Sequence, residues 1–261
     1  MKLKKIVKFF SVVLVLGGLF AVYTAFNPPT GVLVLEYHMV NDQEDDVCAV
    51  TTADFKQQLD YLAEQGYQPI SLLDFMKAKK GKFTLPEKPV VLTFDDGYID
   101  NYTILLPILE ERQLKGTVFM VTNAIGQDGY LSWEQLRDMQ ARGMEIGSHT
   151  ANHLPLDGMN QAQIEDEIKL SKLILEWNGI HTVYFLSYPN GIYNDTAVKA
   201  LADSEYLGAV TGHAGYNAFA TDTYLLQRVN IPRPHFGLLE FKLRLLKAQI
   251  YTKLGILQHI I

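Results

Sequence analysis

Short apolar runs that end in chemically capable residues alternate with stretches patterned as amphipathic helices. This alternation restricts the available folds more than any other feature of the chain. Residues 31–37 form the first apolar run and deliver His38 at its end. A helix follows over residues 52–65, capped by Thr52, with Phe55, Leu59 and Leu62 on one face and Gly66 as its stop. After a short strand at 67–70, Ser71 caps a second helix running to residue 79. Next come the run at 90–94, a helix over 102–112 and a strand over 116–121. The Ser132 and Gln135 capping box opens a helix that ends near Arg142, and the strand at 144–148 follows. The spacing predicts a long helix over 161–177 with Ile164, Ile168, Leu173 and Leu175 facing the core, then a strand at 183–186, a helix at 194–203, and strands at 207–211 and 225–231. Repeated strand–helix units predict a parallel sheet, and seven or eight of them suffice to close a barrel.

The strand that says most about chemistry is Val90-Val-Leu-Thr-Phe-Asp-Asp-Gly-Tyr98. Neighbouring side chains on extended backbone point apart, so Asp95 and Asp96 are free to take different tasks, one holding a metal and the other a proton. An Asp-Asp-Gly turn that merely ends a strand reads the same way locally. Further along, Met144-Glu-Ile-Gly-Ser-His149-Thr-Ala-Asn-His153 ends another apolar run with two histidines four apart, a pair able to converge on one metal ion. His38, Asp95, Asp96, His149, the segment 187–191 and His213 all follow apolar strands, which is what the C-terminal face of a β/α barrel requires. An open doubly wound sheet would gather its ligands near a switch point instead.

Thr93-Phe94-Asp95-Asp96-Gly97 followed by Ser148-His149-Thr150-Ala151-Asn152-His153 resembles the first two motifs of the polysaccharide deacetylases, carbohydrate esterase family 4, also called the NodB-homology domain. The resemblance covers roughly residues 32–232 and implies a distorted (β/α) barrel of seven or eight units. It further implies that Asp96, His149 and His153 hold a divalent metal with open positions for water and substrate. Zinc is the default for such a site, and iron, cobalt and nickel fit the same ligands. Asp95 takes the family's base role, removing the proton from the attacking water.

A third family motif, Arg-x-Pro-aromatic-Gly, corresponds here to Ser187-Tyr188-Pro189-Asn190-Gly191. The turn is kept, but Ser187 stands in the arginine slot and Asn190 in the aromatic slot. The alignment makes the Asn190 amide the oxyanion donor and leaves the base without its orienting arginine. Deacetylases of exported poly-N-acetylglucosamine tend to have a Tyr-Pro-x-Gly version of this motif, an early Tyr-His pair and a late Arg-x-x-x-Pro. Tyr37-His38 and Arg228 to Pro232 match the latter two. Tyr37, His38, Tyr98, Tyr188, Pro189 and Gly191 are therefore the expected substrate-lining residues. Asn101, Tyr130 and Trp133 are further candidates for a sugar groove, against the ordinary reading of aromatic residues as core. The family's proton donor is a histidine near the C-terminus. His213 is the first choice here, with His235 and His38 as rivals.

Removing the four lysines of the first 26 residues from a net charge of −6 leaves −10 for the remainder, which argues against nucleic acid as a partner. The single cysteine, Cys48, excludes an internal disulfide and any multi-cysteine metal site. Residues 9–26 are uncharged and apolar, about 27 Å long as a helix. With lysines on their N-terminal side, they predict a single membrane span with its N-terminus in the cytoplasm and the remainder exported. A cleaved signal peptide is the rival reading, disfavoured because a cut after Ala25 would put Tyr23 where a small residue is wanted.

Three regions are therefore expected: residues 1–30 as cytoplasmic stub, anchor and linker, 31–235 as the catalytic domain, and 236–261 as a C-terminal amphipathic helix. That last helix either packs on the barrel or lies on anionic lipid through its net +3 charge. The leading expectation is a membrane-anchored N-deacetylase of an extracellular or cell-wall glycan. A β-linked N-acetylglucosamine polymer is preferred over peptidoglycan, and a glycan-binding protein without catalysis is the alternative class.

Overall fold

In the computed structural model, six strands lie side by side in chain order, all parallel: β1 (Val32–Tyr37), β2 (Pro89–Phe94), β3 (Thr117–Met120), β4 (Glu145–Ser148), β5 (Phe185–Ser187) and β6 (Gly208–Val210). The structure describes residues 2–258, with side chains from Val13 onward together with those of Val7 and Ser11. Because neighbours in space are neighbours in sequence, the sheet curls in one direction and has no switch point. Two later pieces complete the outer side of β1. The first, β7 (Tyr216–Asn217), pairs antiparallel with its start, and the second, β8 (Val229–Asn230), pairs parallel with Leu35 and Glu36. Leu226 bridges to Val210 in β6, so the stretch from 226 to 230 joins the two edges of the curled sheet. This arrangement is compatible with a seven-unit (β/α) barrel.

The helices α1 (Lys2–Phe26), α2 (Thr52–Glu64), α3 (Leu72–Lys79), α4 (Leu106–Glu111), α5 (Trp133–Ala141), α6 (Gln161–Trp177), α7 (Asp195–Ala202) and α8 (Leu238–Leu254) follow the expected order. Caps sit where the sequence places them, within a residue. Thr51 rather than Thr52 caps α2, Ser71 caps α3 and Ser132 forms its capping box with Gln135, while Asn160, which the sequence reading did not assign, forms a further box with Gln163. The expected helix over 102–112 is shorter than its pattern. A wider turn over Asn101–Leu105 precedes α4, which begins at Leu106. On α6, Ile164, Ile168, Ser171 and Leu175 form the buried stripe, whereas Leu173 is 56% exposed. Two residues beyond Ser171, Leu173 is rotated to the far side of the helix.

Strand alternation divides the buried residues into two layers. Leu33, Leu35 and Tyr37 of β1 and Val90, Leu92 and Phe94 of β2 pack in the larger cluster together with most of the helices. Val32, Val34, Val91, Phe119, Phe185, Val210 and Leu226 form the second cluster, with Leu72, Phe75 and Met76 of α3 packed among them. Continuing the same alternation past this apolar layer brings up Glu36, Thr93, Asp95, Ser187 and Arg228, so the carboxyl-terminal ends of the strands carry a buried polar layer.

The segment expected to anchor the chain lies within α1, and among the described residues no helix is long and apolar enough to cross a membrane. Of the two readings of the C-terminal segment, packing on the body is what the structure displays. Phe241, Leu245 and Ala248 of α8 are buried, and the helix touches α1, α2, β7 and β8. Residues 259–261 of that expected region lie outside the described residues.

Candidate active site

The polar layer is organised around Asp95. It follows directly on β2, with its amide donating to the Tyr37 carbonyl at 2.9 Å, and is 2% exposed. Both carboxylate oxygens accept from Arg228, Oδ1 from Nη1 and Oδ2 from Nη2, each at 2.8 Å, and Oδ2 also accepts from the Ser187 hydroxyl at 2.9 Å. Arg228 is fully buried. Its Nε donates to the Thr211 carbonyl and lies 3.3 Å from Glu36, while Nη1 and Nη2 also donate to the Thr93 and Ser187 hydroxyls. Burial alone would raise the Asp95 carboxyl, but the Arg228 guanidinium, aided by His149 and His38, outweighs it and holds the group well below the usual carboxylate range.

Asp95, the residue expected to act as base, therefore does have an arginine holding it, contrary to the expectation drawn from Ser187 in the third motif. Arg228 arrives from the closing stretch of the barrel, and Ser187 cooperates with it instead of leaving a gap. The late Arg-x-x-x-Pro was the signal for it, but its side chain's destination needed the barrel's closure to be known.

Asp96, His149 and His153 do converge. Asp96 Oδ1 lies 3.5 Å from His149 Nε2 and 3.4 Å from His153 Nε2. Ligand bonds of about 2.0–2.1 Å in a tetrahedral site put ligand atoms roughly 3.4 Å apart, so these residues fit a zinc-like divalent ion. The His149 Nδ1 lies 2.8 Å from the Ser187 carbonyl, the partner that keeps a proton on Nδ1 and leaves Nε2 as the donor. Burial lowers the His149 pKa, with Asp95 and Asp96 opposing, which favours the neutral ring that a metal needs.

Backbone strain collects at this site. Asp96 (φ 72°), Thr150 (64°), His153 (56°) and Asn190 (55°) all adopt left-handed conformations. For the β-branched Thr150 this is a costly choice, of order 1–3 kcal/mol. Glu167 of α6 holds the turn in place: one of its oxygens accepts from the amides of Ala151 and Asn152 at 3.0 Å, and the other from the Asn152 side chain at 2.5 Å. Sequence reading missed Glu167, since a glutamate on a helix gives no sign that it faces inward. Next to Asp96, Gly97 sits at φ +79°, and a Cβ there would come within 2.1 Å of Met120 Sδ, so any other residue would strain the backbone and displace the methionine side chain.

The other expected residues divide. His38 is partly exposed and places a ring nitrogen within 4.8 Å of carboxylate oxygens of Glu36 and Asp95. Tyr98 is half-buried against Asp96. The turn carrying Tyr188, Pro189, Asn190 and Gly191 follows β5 and is joined to the end of β6 by the Tyr188 amide to Val210 and to the loop after β6 by the Gly212 amide to Gly191. Within it Asn190 is exposed, while Tyr188, Pro189 and Gly191 are buried.

Tyr37 and Tyr188 are not groove-lining residues. Tyr37 is 0% exposed, donates to Gln58 Oε1 at 2.8 Å and stacks on Phe94, and Tyr188, also 0% exposed, packs against Tyr193. Side chains of this parity on β1 point to the helical layer, which is why Tyr37 is drawn inward. Asn101 is likewise buried, donating to the His38 carbonyl. His213 lies on the loop after β6, its ring 5.7 Å from that of Tyr193 and its carbonyl accepting from the Arg228 amide. His235 is exposed ahead of α8, with its amide on Glu240.

Comparison with known proteins agrees with this geometry. A family model described as polysaccharide deacetylase matches residues 82–209. The Bacillus subtilis protein YxkH, assigned to the polysaccharide deacetylases, is 31% identical over 203 residues, covering 78% of this chain and 72% of that protein. The poly-beta-1,6-N-acetyl-D-glucosamine N-deacetylase of Escherichia coli K12 is 33% identical over 143 residues, covering 48% of this chain but only 21% of that protein. Among solved structures, the Streptococcus pyogenes deacetylase PplD in complex with acetate superposes with a TM-score of 0.75 at 28% identity, covering 85% of this chain and 99% of that one. The chain thus belongs to the polysaccharide deacetylase family, carbohydrate esterase family 4, and is a hydrolase of that family.

Proposed function

We propose that this chain removes N-acetyl groups from an exported β-linked N-acetylglucosamine polymer, with a divalent metal, zinc first among the choices, held by Asp96, His149 and His153. One observation carries the reading. An ionised, arginine-locked Asp95 stands 3.8 Å from His149 Nε2, beside a trio whose spacing suits a metal ion. A binding protein without catalysis has no use for that carboxylate. The choice of polymer is supported by the relative from Escherichia coli and by the Tyr-Pro-x-Gly turn.

A divalent ion bound there supplies the Lewis acidity that the acetamide carbonyl and the water both need, since a carboxylate as weakly basic as Asp95 cannot deprotonate free water. Asp95 accepts the water's proton as the water oxygen bonds to the carbonyl carbon, and Arg228 with Ser187 keeps the carboxylate aimed. The Asn190 amide is the proposed donor to the developing oxyanion. His213 is the proposed proton donor to the amine as the carbon–nitrogen bond breaks and acetate leaves, with His38 its alternative because it sits beside Asp95.

The decisive test is acetate release from β-1,6-linked N-acetylglucosamine oligomers, chitin oligomers and peptidoglycan by metal-loaded protein. Release from the first, lost on chelation and in Asp95→Asn, supports the reading; bound metal with no release from any glycan overturns it. Peptidoglycan as the best substrate would move the polymer assignment alone. Anchorage by residues 9–26, with the catalytic domain outside the cytoplasm, is proposed from the sequence alone, no described helix being long and apolar enough to cross a membrane. It rests on the lysines that precede residues 9–26, and recovery of the full chain in the soluble fraction of its cell would refute it.

A further inference from the structure

At the end of the barrel opposite Asp95, where Gly31 leads into β1 and Lys88 into β2, a cavity of about 650 Å³ opens between the body, the end of α1 and the flank of α8. The six residues of β1 separate it by about 20 Å from the carboxyl-terminal ends of the strands. Gln249 of α8 lines the cavity and is only 9% exposed, yet its Oε1 accepts from no group among the described residues. The carboxamide lies against the phenols of Tyr67 and Tyr216, which are hydrogen-bonded to each other at 2.8 Å. A buried acceptor left unmet is costly, so this one calls for a donor from outside the fold. Two ammonium groups stand at the same cavity. Lys242 Nζ lies 4.6 Å from the centroid of the Tyr61 ring and Lys88 donates to the Gln65 carbonyl at 2.8 Å, against one lining carboxylate, Glu87. The rim is apolar and open to solvent: Phe26 at the end of α1 is 82% exposed and Leu243 of α8 54%. That apolar surface continues along both helices through Leu19 and Val22 of α1 and Leu239 of α8, and Lys253 Nζ of α8 sits 4.5 Å over the Tyr23 ring of α1.

We propose that this cavity takes the headgroup of an anionic, hydroxyl-bearing phospholipid, phosphatidylglycerol being the simplest, with the acyl chains lying along the exposed faces of α1 and α8. Each part of that ligand meets a matching group. The lysines face the phosphate, a headgroup hydroxyl donates to Gln249 Oε1, and the rim of Phe26 and Leu243 takes the start of the chains. A choline headgroup has no N–H or O–H to give Gln249, and a headgroup without net charge gains less from two lysines. Tyrosine and lysine beside an apolar helix are also the side chains that settle at a lipid–water boundary, as Tyr23 with Lys253 and Tyr61 with Lys242 would here. Lipid held at this end of the strands turns the opposite end, with Asp95 and the metal trio, away from the lipid surface. The site does not depend on the hydrolytic reading; it sets which way that reading's catalytic face points.

The test titrates the full chain, purified in a neutral detergent, with dihexanoylphosphatidylglycerol, dihexanoylphosphatidylcholine and glycerol 3-phosphate by isothermal calorimetry. The short acyl chains keep both lipids soluble, so insertion of α1 into a bilayer plays no part. Phosphatidylglycerol is expected to bind saturably and at least about tenfold more tightly than either of the others. Lys242→Gln, at an exposed position, should weaken that binding by about tenfold, and Gln249→Leu should weaken it similarly while leaving the lipid-free chain at least as stable, because it removes an unmet buried acceptor. Equal affinity for the choline lipid, or an affinity for phosphatidylglycerol that survives both substitutions, overturns the site. Glycerol 3-phosphate binding as tightly as the lipid overturns the lipid assignment, by showing a site for free phosphate esters. None of these readouts involves acetate release, so the site stands or falls apart from the glycan.

Discussion

Arg228 and Asp95, 133 residues apart in sequence, meet through two parallel hydrogen bonds of 2.8 Å inside the barrel. A bidentate guanidinium fixes both the charge and the direction of the carboxylate, and a lysine supplies only a point charge. Arg228→Lys is therefore expected to lower kcat for acetate release by at least about a hundredfold, with bound metal retained. Arg228→Ala should in addition destabilise the fold by about 3–5 kcal/mol, because it strands a buried carboxylate. Denaturant unfolding and metal analysis of both variants check this; near-normal turnover in the lysine variant would show that aiming is supplied elsewhere.

Glu167 holds the amides of the turn between His149 and His153 and would act on the proposed metal trio without touching it. Replacing it with glutamine exchanges one acceptor oxygen for a donor and loosens a turn that is already strained. Glu167→Gln should weaken metal binding by about 10–100-fold, the usual effect of losing a residue that orients ligands. Competition against a chromophoric chelator measures it, and an unchanged affinity would make Glu167 purely a structural cap.

Glu145 gives a stability signature in pH. It lies at the start of β4, accepting from the amides of Leu72 and Leu73 at 3.1 Å and from the Thr117 hydroxyl at 2.8 Å. Burial raises its pKa, only partly offset by those donors. The folded state therefore holds the proton more tightly than the unfolded chain does. The contribution of Glu145 to stability is full below the ordinary glutamate value and is lost as pH rises through the raised folded value. Asp95 runs the other way, since its depressed pKa stabilises above the ordinary aspartate value and that gain is lost at acid pH. The Glu145 effect is isolated by subtracting: the stability of Glu145→Gln relative to the wild-type chain should rise as pH climbs above about 4.5. A difference independent of pH would reject it.

Cys48 is half-buried, and its thiol is pushed up to about 11, first by burial and then by Asp46 and Asp96. At neutral pH it is overwhelmingly protonated. Iodoacetamide labelling at pH 7.5 is expected to be about a hundredfold slower than that of an ordinary exposed thiol, rising steeply toward pH 10. Mass spectrometry of the labelled protein reads it directly; rapid labelling at neutral pH would contradict the burial.

The strand–helix order, the motif residues and the Ser132 and Gln135 capping box were legible in the chain because they depend on spacing of a few residues. Asp96, His149 and His153 were found for that reason, each being marked by a short motif at the end of an apolar run. Arg228 and Glu167 were not assigned, since their roles depend on which strand closes the barrel and which way one helix face turns. Tyr37 and Tyr188 were misplaced for the opposite reason. A position next to a motif says nothing about the side of the strand on which a ring lands, and both rings are core.

The stretch from 226 to 230, which joins the sheet's two edges, also carries the guanidinium that aims Asp95. If Asp95 is the base, catalytic competence is thereby deferred during synthesis. A nascent chain that has emerged only as far as residue 220 holds all three proposed metal ligands, yet it would lack the guanidinium that aims Asp95 until residues 226–230 seat, so geometry and timing are controlled by the same few residues.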